Sequence, residues 1–266
     1  MLIWWGTKKT SRKQGFVADY CVVCRNIGAF KLSRIGMASH VYGASIGQGD
    51  LLGHTAECLG CKTTVEVNVE RYSNVSKKPL DINNLVGITN PGIRALCADR
   101  FEVDRALSIN ARLVSDEVRK GIVFEVLHAL NMEVHQRFSA THLDKEVYWS
   151  ILGLLTYAFL VLPYSLSKSD NVAIIAMCGL IVCIGFVVYV AFGGNERFIR
   201  RIVFPKIASA LFKVNPTEKE LKEVLSVLDR KGYKIGAAFK VEQLVQFIIG
   251  YESQRNPRLS KQTIKQ

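Results

Sequence analysis

The sequence predicts a mixed α+β membrane protein, in which a small antiparallel sheet, a helical connector, a two-helix transmembrane hairpin and a C-terminal helical region follow one another. Three observations lead there. Two Cys-x-x-Cys pairs, Cys21/Cys24 and Cys58/Cys61, stand among strand-like stretches. Two later segments carry no charge and run for about 20 residues, the length a helix needs to cross a hydrocarbon core. Around them, apolar residues recur at helical spacing behind capping residues.

The chain begins "MLIWW", and "KKTSRK" follows at 8–13 without a small-residue cleavage site. A signal peptide needs the charged part first and a longer apolar part after it. The order here is the reverse, so Leu2–Trp5 reads as a first strand and the N-terminus as starting in the cytoplasm. Residues 29–36, 38–45 and 51–57 read as further strands, with "GQGD" at 47–50 as the turn between the last two. In 62–70, Val65, Val67 and Val69 alternate with polar residues, the period of a half-buried strand. Each cysteine pair therefore falls at a turn between strands.

Seven cysteines in 266 residues are too few for a secreted disulfide scaffold, and an odd number does not pair completely. In a reducing compartment, paired Cys-x-x-Cys units read as a metal site. Four thiolates in a tetrahedron suit zinc, and a two-residue spacer lets one turn present two sulfurs to one ion. A small sheet buries little core, so a metal would add needed stability. The alternative is redox: Cys-x-x-Cys can cycle between dithiol and disulfide, though that motif usually opens a helix near a βαβ unit.

On Cys21-Val-Val-Cys24 and Cys58-Leu-Gly-Cys61, residues 1–70 resemble the zinc-ribbon family. The resemblance implies a structural Zn²⁺ held by Cys21, Cys24, Cys58 and Cys61. The chain departs from the commonest pattern in lacking the Cys-Pro-x-Cys-Gly knuckle and in a 33-residue spacer between the pairs. The wider layout also resembles uncharacterised bacterial membrane proteins that carry a zinc ribbon, which points to a bacterial inner membrane and names no activity.

Other candidates are weaker. Arg25 and Lys62 follow the second cysteine of each pair, and either offset the negative charge of a four-thiolate zinc or are solvated. His40 and His54 read as polar strand residues. Cys97, Cys178 and Cys183 read as packing residues.

In the connector (71–145), 89–107 reads as a helix that starts with Pro91 in its first turn. Residues 115–138 read as a longer helix capped by Ser115, with Val118, Ile122, Leu127, Leu130 and Val134 as its apolar stripe. His128 and His135 are seven apart, not the four that a helical metal pair prefers. Thr141 and Asp144 have capping-box spacing ahead of the first apolar segment. That reading outweighs acid–base chemistry for His142 and Asp144.

The hairpin (146–194) consists of 147–166 and 172–192, joined by "SKSD" at 167–170. Gly153, Gly179 and Gly185 offer close helix approach. Arg137, Lys145, Arg197, Arg200, Arg201 and Lys206 flank the outer ends, against Lys168 alone in the link. The positive-inside rule puts both termini in the cytoplasm.

The C-terminal region (195–266) carries 15 bases and 7 acids, most of the chain's net +12. Arg197, Arg200 and Arg201 suit anionic headgroups of the bilayer, and Pro205 should kink or end their helix. In 215–232, Asn215 reads as cap, Pro216 as first position, Glu218 as the box partner and Gly232 as the stop. Lys240–Ile249 reads as a last helix, with Leu244, Phe247 and Ile248 on one face, ahead of a polar tail at 253–266. The two helices around "RKGYKIG" fit a protein-binding hairpin better than a DNA-reading one. No phosphate loop, nucleophile with a base, or intramembrane carboxylate is visible. The expected function is a membrane-anchored zinc-binding adaptor or regulator with a protein partner, not an enzyme. A tethered nucleic-acid binder and a thiol oxidoreductase are the alternatives.

Overall fold

The computed structural model describes residues 5–41, 44–139, 144–167 and 170–255. The chain forms two compact units, Met1–His135 with Phe204–Gln266, and Gln136–Val203.

The first unit opens with a four-stranded antiparallel sheet in sequential order. Its strands are β1 (Trp5–Cys21), β2 (Asn26–Val41), β3 (Ala44–Cys58) and β4 (Thr64–Glu66). Most of β1 went unread in the sequence. Of the expected strand Leu2–Trp5 only Trp5 is described, and β1 continues through the basic stretch 8–13 to Cys21. That half of the strand buries neither face, so no period-2 pattern marks it, and its lysines suit an open sheet edge. Nearer the core the same edge is closed. Phe16 exchanges backbone hydrogen bonds with Ser76, and the Ala18 amide donates to Thr89 Oγ1 at 2.9 Å.

The stretches 29–36 and 38–45 are not two strands: β2 runs unbroken to Val41. "GQGD" is not the turn either; it lies inside β3 as a bulge, where Met37 pairs with Asp50 and Ser39 with Ile46. Gly49 has φ +66°, and a Cβ there would overlap the Met37 carbonyl, so only glycine fits. The strand expected over 62–70 shortens to β4. Asn68 then caps a 3₁₀ turn at Val69–Arg71 by accepting from the Glu70 amide.

Phe16, Ala18, Leu85, Val86, Ile93 and Cys97 form the core under the sheet. Burying side chains such as Leu85 or Ile93 stabilises by roughly 1.5–3 kcal/mol each. The helix predicted over 89–107 is two pieces, α2 (Ile93–Leu96) and α3 (Ala98–Ile109), behind a separate helix α1 (Ile82–Thr89, capped by Asp81) that shares only Thr89 with it. Pro91 lies in the turn between α1 and α2 rather than in a first helical turn, because α2 starts two residues later, at Ile93.

The 24-residue α4 (Asp116–Ser139) matches its prediction, but its buried face is Val123, Val126, Leu127, Leu130 and Val134, while Val118 is exposed. After α9 (Phe204–Leu211) come α10 (Glu218–Arg230), α11 (Lys234–Ala238) and α12 (Val241–Arg255). They share a core of Ile207, Leu211, Leu221, Leu228, Ile235 and Leu244. The cap of α10 is Thr217, which forms the capping box with Glu220. Asn215 instead ends the previous helix at φ +44°, and Pro216 disfavours the helical region for the residue before it. Glu220 is buried and bonded by Arg119 at 2.8 Å, which fastens α10 to α4. Burial alone would raise its carboxyl pKa; the Thr217 amide and Arg119 hold it below the usual range instead. Gly232 stops α10 at φ +76°, as expected.

The second unit holds two helices long and apolar enough to cross a membrane, Lys145–Ser165 and Asn171–Phe192, with mean hydropathy 1.6 and 2.8. Only 6% of each apolar window is buried, so neither is a covered core helix. The first comprises α5 (Lys145–Thr156), a π turn at Tyr157–Val161 and α6 (Leu162–Leu166). The second is α7 (Asp170–Phe192), followed by α8 (Gly194–Phe198) and a π turn at Ile199–Val203. Both π turns end two residues ahead of a proline, Pro163 and Pro205. Proline donates no N–H and crowds the carbonyl four residues back, and a widened turn relieves that crowding. Pro205 therefore does not end its helix, which resumes as α9. Of the three glycines, Gly179 alone meets a neighbour: a Cβ there would strike the Tyr157 hydroxyl, which donates to the Ala176 carbonyl at 3.0 Å. Gly153 and Gly185 face open space.

Candidate metal centre

Both cysteine turns leave the same end of the sheet. Cys21 closes β1 opposite Asn26, and Cys58 closes β3 opposite Phe30. Cys24 and Cys61 follow in the turns toward β2 and β4. The two turns are built alike. The Arg25 amide donates to the Cys21 carbonyl at 2.7 Å, and the Lys62 amide to the Cys58 carbonyl at 2.9 Å. Arg25 and Lys62 both take left-handed backbone, φ +54° and +61°. Glycine is the usual occupant of such a position, and the missing glycine of the sequence comparison is accounted for: an arginine and a lysine adopt its conformation.

The result is one cluster. The four sulfurs lie within 4.8 Å of one another. Cys21 Sγ is 3.5 Å from Cys61 Sγ, and Cys24 Sγ is 3.8 Å from Cys58 Sγ. Four sulfurs at about 2.3 Å around a tetrahedral ion would be about 3.8 Å apart, so the spacing fits a metal. A disulfide needs about 2.05 Å, and all seven cysteines are free thiols. Cys21 and Cys58 are buried, and Cys24 and Cys61 partly so.

Thiol ionisation is divided across the cluster. Hydrogen bonds from Cys21 and Cys24 bring Cys58 down to about 7 and lower Cys61 further. Cys21 is pushed up by the same bonds with Cys24, Cys58 and Cys61. In Cys24, the lowering by Cys21 is outweighed by Cys58 and Cys61, and its thiol also rises. Crowded sulfurs cannot all carry charge without a cation, and a divalent ion removes that conflict.

The surroundings fix the first turn. Arg25 Nε donates to Asp104 Oδ1 at 2.7 Å, with a second guanidinium bond to the same oxygen, which joins the turn to α3. Asp19, two residues before Cys21, is buried; it accepts from Tyr72 Oη at 2.6 Å and pairs with Arg71. Asp19 and Asp104 were not singled out in the sequence, since their partners lie 52 or more residues away. In the second turn Leu59 joins the core below, its amide donating to the Ala29 carbonyl at 2.9 Å, while Lys62 is exposed.

The remaining candidates stand apart. His40 and His54 contribute nothing to the cluster. His128 stacks on Phe124 and meets Tyr233 edge-on, centroids 5.8 and 5.1 Å away. Cys97 lies in the core, where burial raises its thiol. Thr141 and His142 lie outside the described residues. Asp144 caps α5 by position only; its carboxylate goes to Arg137 and Arg197. Arg200 pairs with Glu196, and Arg201 with Glu146. The chain matches no family model, no curated protein and no solved structure in the comparisons made.

Proposed function

We propose that this protein is a membrane-anchored adaptor or regulator whose cytoplasmic unit is held in shape by a structural Zn²⁺ and performs no catalysis. The observation that carries this reading is the four-sulfur cluster on two matched turns. Cys21, Cys24, Cys58 and Cys61 would be its ligands. A closed set of four thiolates leaves no open position for a substrate, the arrangement of a structural site rather than a catalytic one. When bound, the ion supplies a crosslink between the β1–β2 and β3–β4 turns. The two short sulfur contacts run between the turns, 21 to 61 and 24 to 58, whereas a redox Cys-x-x-Cys would pair within one turn. That arrangement favours the zinc ribbon over thiol exchange.

The apolar helices, nearly bare of protein cover, are read as a hairpin through a bacterial inner membrane. The cations at its outer ends put both chain termini in the cytoplasm. Arg200 and Arg201, although ion-paired, keep more than half of their side chains exposed and can still meet headgroup phosphates. A protein partner would be recruited to the cytoplasmic unit.

The test is metal analysis of the full-length, reduced protein, combined with thiol alkylation before and after chelation. One zinc per chain is expected, with four thiols that react only after chelation. A folded, reduced protein that contains no metal would overturn the reading. A second reading rests on β1, where Lys8, Lys9, Arg12 and Lys13 make no salt bridge among the described residues. Such a row suits a nucleic-acid backbone, and binding that weakens steeply with salt would support it.

A further inference from the structure

The unit Gln136–Val203 contains a groove of about 570 Å³ that the zinc reading leaves unused. Its walls are ordered along the helices. On α5, Lys145 and Trp149 stand one turn apart on the same face. On α7, Phe186 and Val190 do the same, and Arg197 reaches back from α8 to donate to the Val190 carbonyl at 2.7 Å. Lys145 and Arg197 thus lie at the outer ends of the two helices, and Trp149 and Phe186 lie toward their middle. Both rings are more than half exposed.

The charges at this end do not cancel. Arg137, Lys145, Arg197, Arg200 and Arg201 face three carboxylates, Asp144, Glu146 and Glu196. Glu146 and Glu196 are each taken by one arginine, and Asp144 is shared by Arg137 and Arg197. The Nε atoms of Arg137 and Arg197 are buried without a partner. Lys145 forms no ion pair among the described residues. The groove itself is lined by Lys145, Arg197 and one carboxylate, Glu146, which Arg201 takes, so at this end of the helices it joins a net positive charge to an uncovered aromatic wall.

We propose that the groove holds one anionic phospholipid, with its phosphate between Lys145 and Arg197 and an acyl chain along Trp149, Phe186 and Val190. An inorganic anion would leave the rings uncovered. A zwitterionic lipid would bring a further cation to a site already in excess. Basic clefts between membrane helices on the cytoplasmic side recognise headgroups of this kind. The inference rests on the membrane reading above and adds to it a saturable site for one lipid class.

The experiment uses the full chain with W4F and W5F, which leaves Trp149 as its one tryptophan. The protein is placed in phosphatidylcholine vesicles and titrated with brominated-acyl phosphatidylglycerol or brominated-acyl phosphatidylcholine. Quenching of Trp149 by the anionic lipid is expected to saturate at low mole fraction, while the zwitterionic lipid quenches only in proportion to its amount. K145Q should weaken the anionic effect about five-fold, the ratio for one near-surface cation. K222Q removes the same charge from α10, outside the groove, and should leave the curve in place. Equal curves for the two headgroups, or equal losses in K145Q and K222Q, would overturn the proposal. So would competition by inorganic phosphate, which would assign the site to a free anion. If neither brominated lipid quenches Trp149, the membrane reading itself fails, an outcome distinct from the loss of headgroup selectivity.

Discussion

The two cysteine turns share a spacing, a closing backbone bond and a left-handed residue, yet they are held in different ways. The first is tied to the helices: Arg25 is bonded twice to Asp104 on α3, with 13% and 20% of their side chains exposed. The second is tied through its neighbours, Leu59 in the core and Thr64, whose amide donates to Glu133 Oε1 on α4 at 3.3 Å, while its own left-handed residue, Lys62, faces solvent. Sheet pairing brings the turns together, but a long-range ion pair fixes the position of one alone. A metal would therefore constrain the second turn more than the first.

The harshest test of that asymmetry is loss of the ion. Structural zinc contributes on the order of 10 kcal/mol in small sites, and one missing ligand removes most of it. C24S and C61S are both expected to abolish stoichiometric zinc, measured by elemental analysis, because one ion needs both turns. Amide exchange should then separate them. With the metal gone, residues 58–66 should exchange much faster than residues 21–30, where Arg25–Asp104 still anchors the chain. Equal exchange in the two segments would remove the asymmetry, and retained zinc in either variant would break the shared site.

A smaller effect is expected from the side chains that follow the knuckles. R25A leaves Asp104 partly buried without its cation, a loss of about 2–3 kcal/mol for a charged hydrogen-bonded pair. K62A removes an exposed charge and should stay within about 0.5 kcal/mol. Both substitutions keep a Cβ at positive φ, so backbone strain cancels from the comparison. Denaturant unfolding of the zinc-loaded protein measures the difference. A K62A loss as large as that of R25A would mean that Lys62 has a partner of its own.

What could be read in advance follows the range of each interaction. Two cysteines separated by two residues are a local signal, so all four candidate ligands were legible, and the sheet that joins them was legible in outline. The uncharged runs at 147–166 and 172–192 were plain from composition alone. Asp104 was not, because its partner lies 79 residues away. The strand through Lys8–Lys13 was hidden because neither face is buried there and its pattern follows edge protection rather than packing. Thr217 was passed over for Asn215, since both are good caps two residues apart and only the backbone decides between them. Pro205 was read as a kink or an end, and Pro163 was not singled out within its apolar run. The π turns before Pro163 and Pro205 could not be read, since they depend on how the whole helix absorbs a missing donor.

The smallest effect is the most discriminating, because it is expected to stabilise. A non-glycine residue in the left-handed region carries a cost of roughly 1–2 kcal/mol relative to the right-handed form, and glycine is nearly free of it. K62G should relieve this strain at φ +61° without removing any ion pair, for a net gain of about 0.5–1 kcal/mol after the larger chain entropy of glycine in the unfolded state is subtracted. R25G gains the same relief at φ +54° but loses the bonds to Asp104, so it should destabilise on balance. Opposite signs for one substitution at two matched backbone positions would show that the turns differ in their tertiary attachment and not in their local geometry. If both glycine variants move stability the same way, the Arg25–Asp104 tie does not distinguish the two turns.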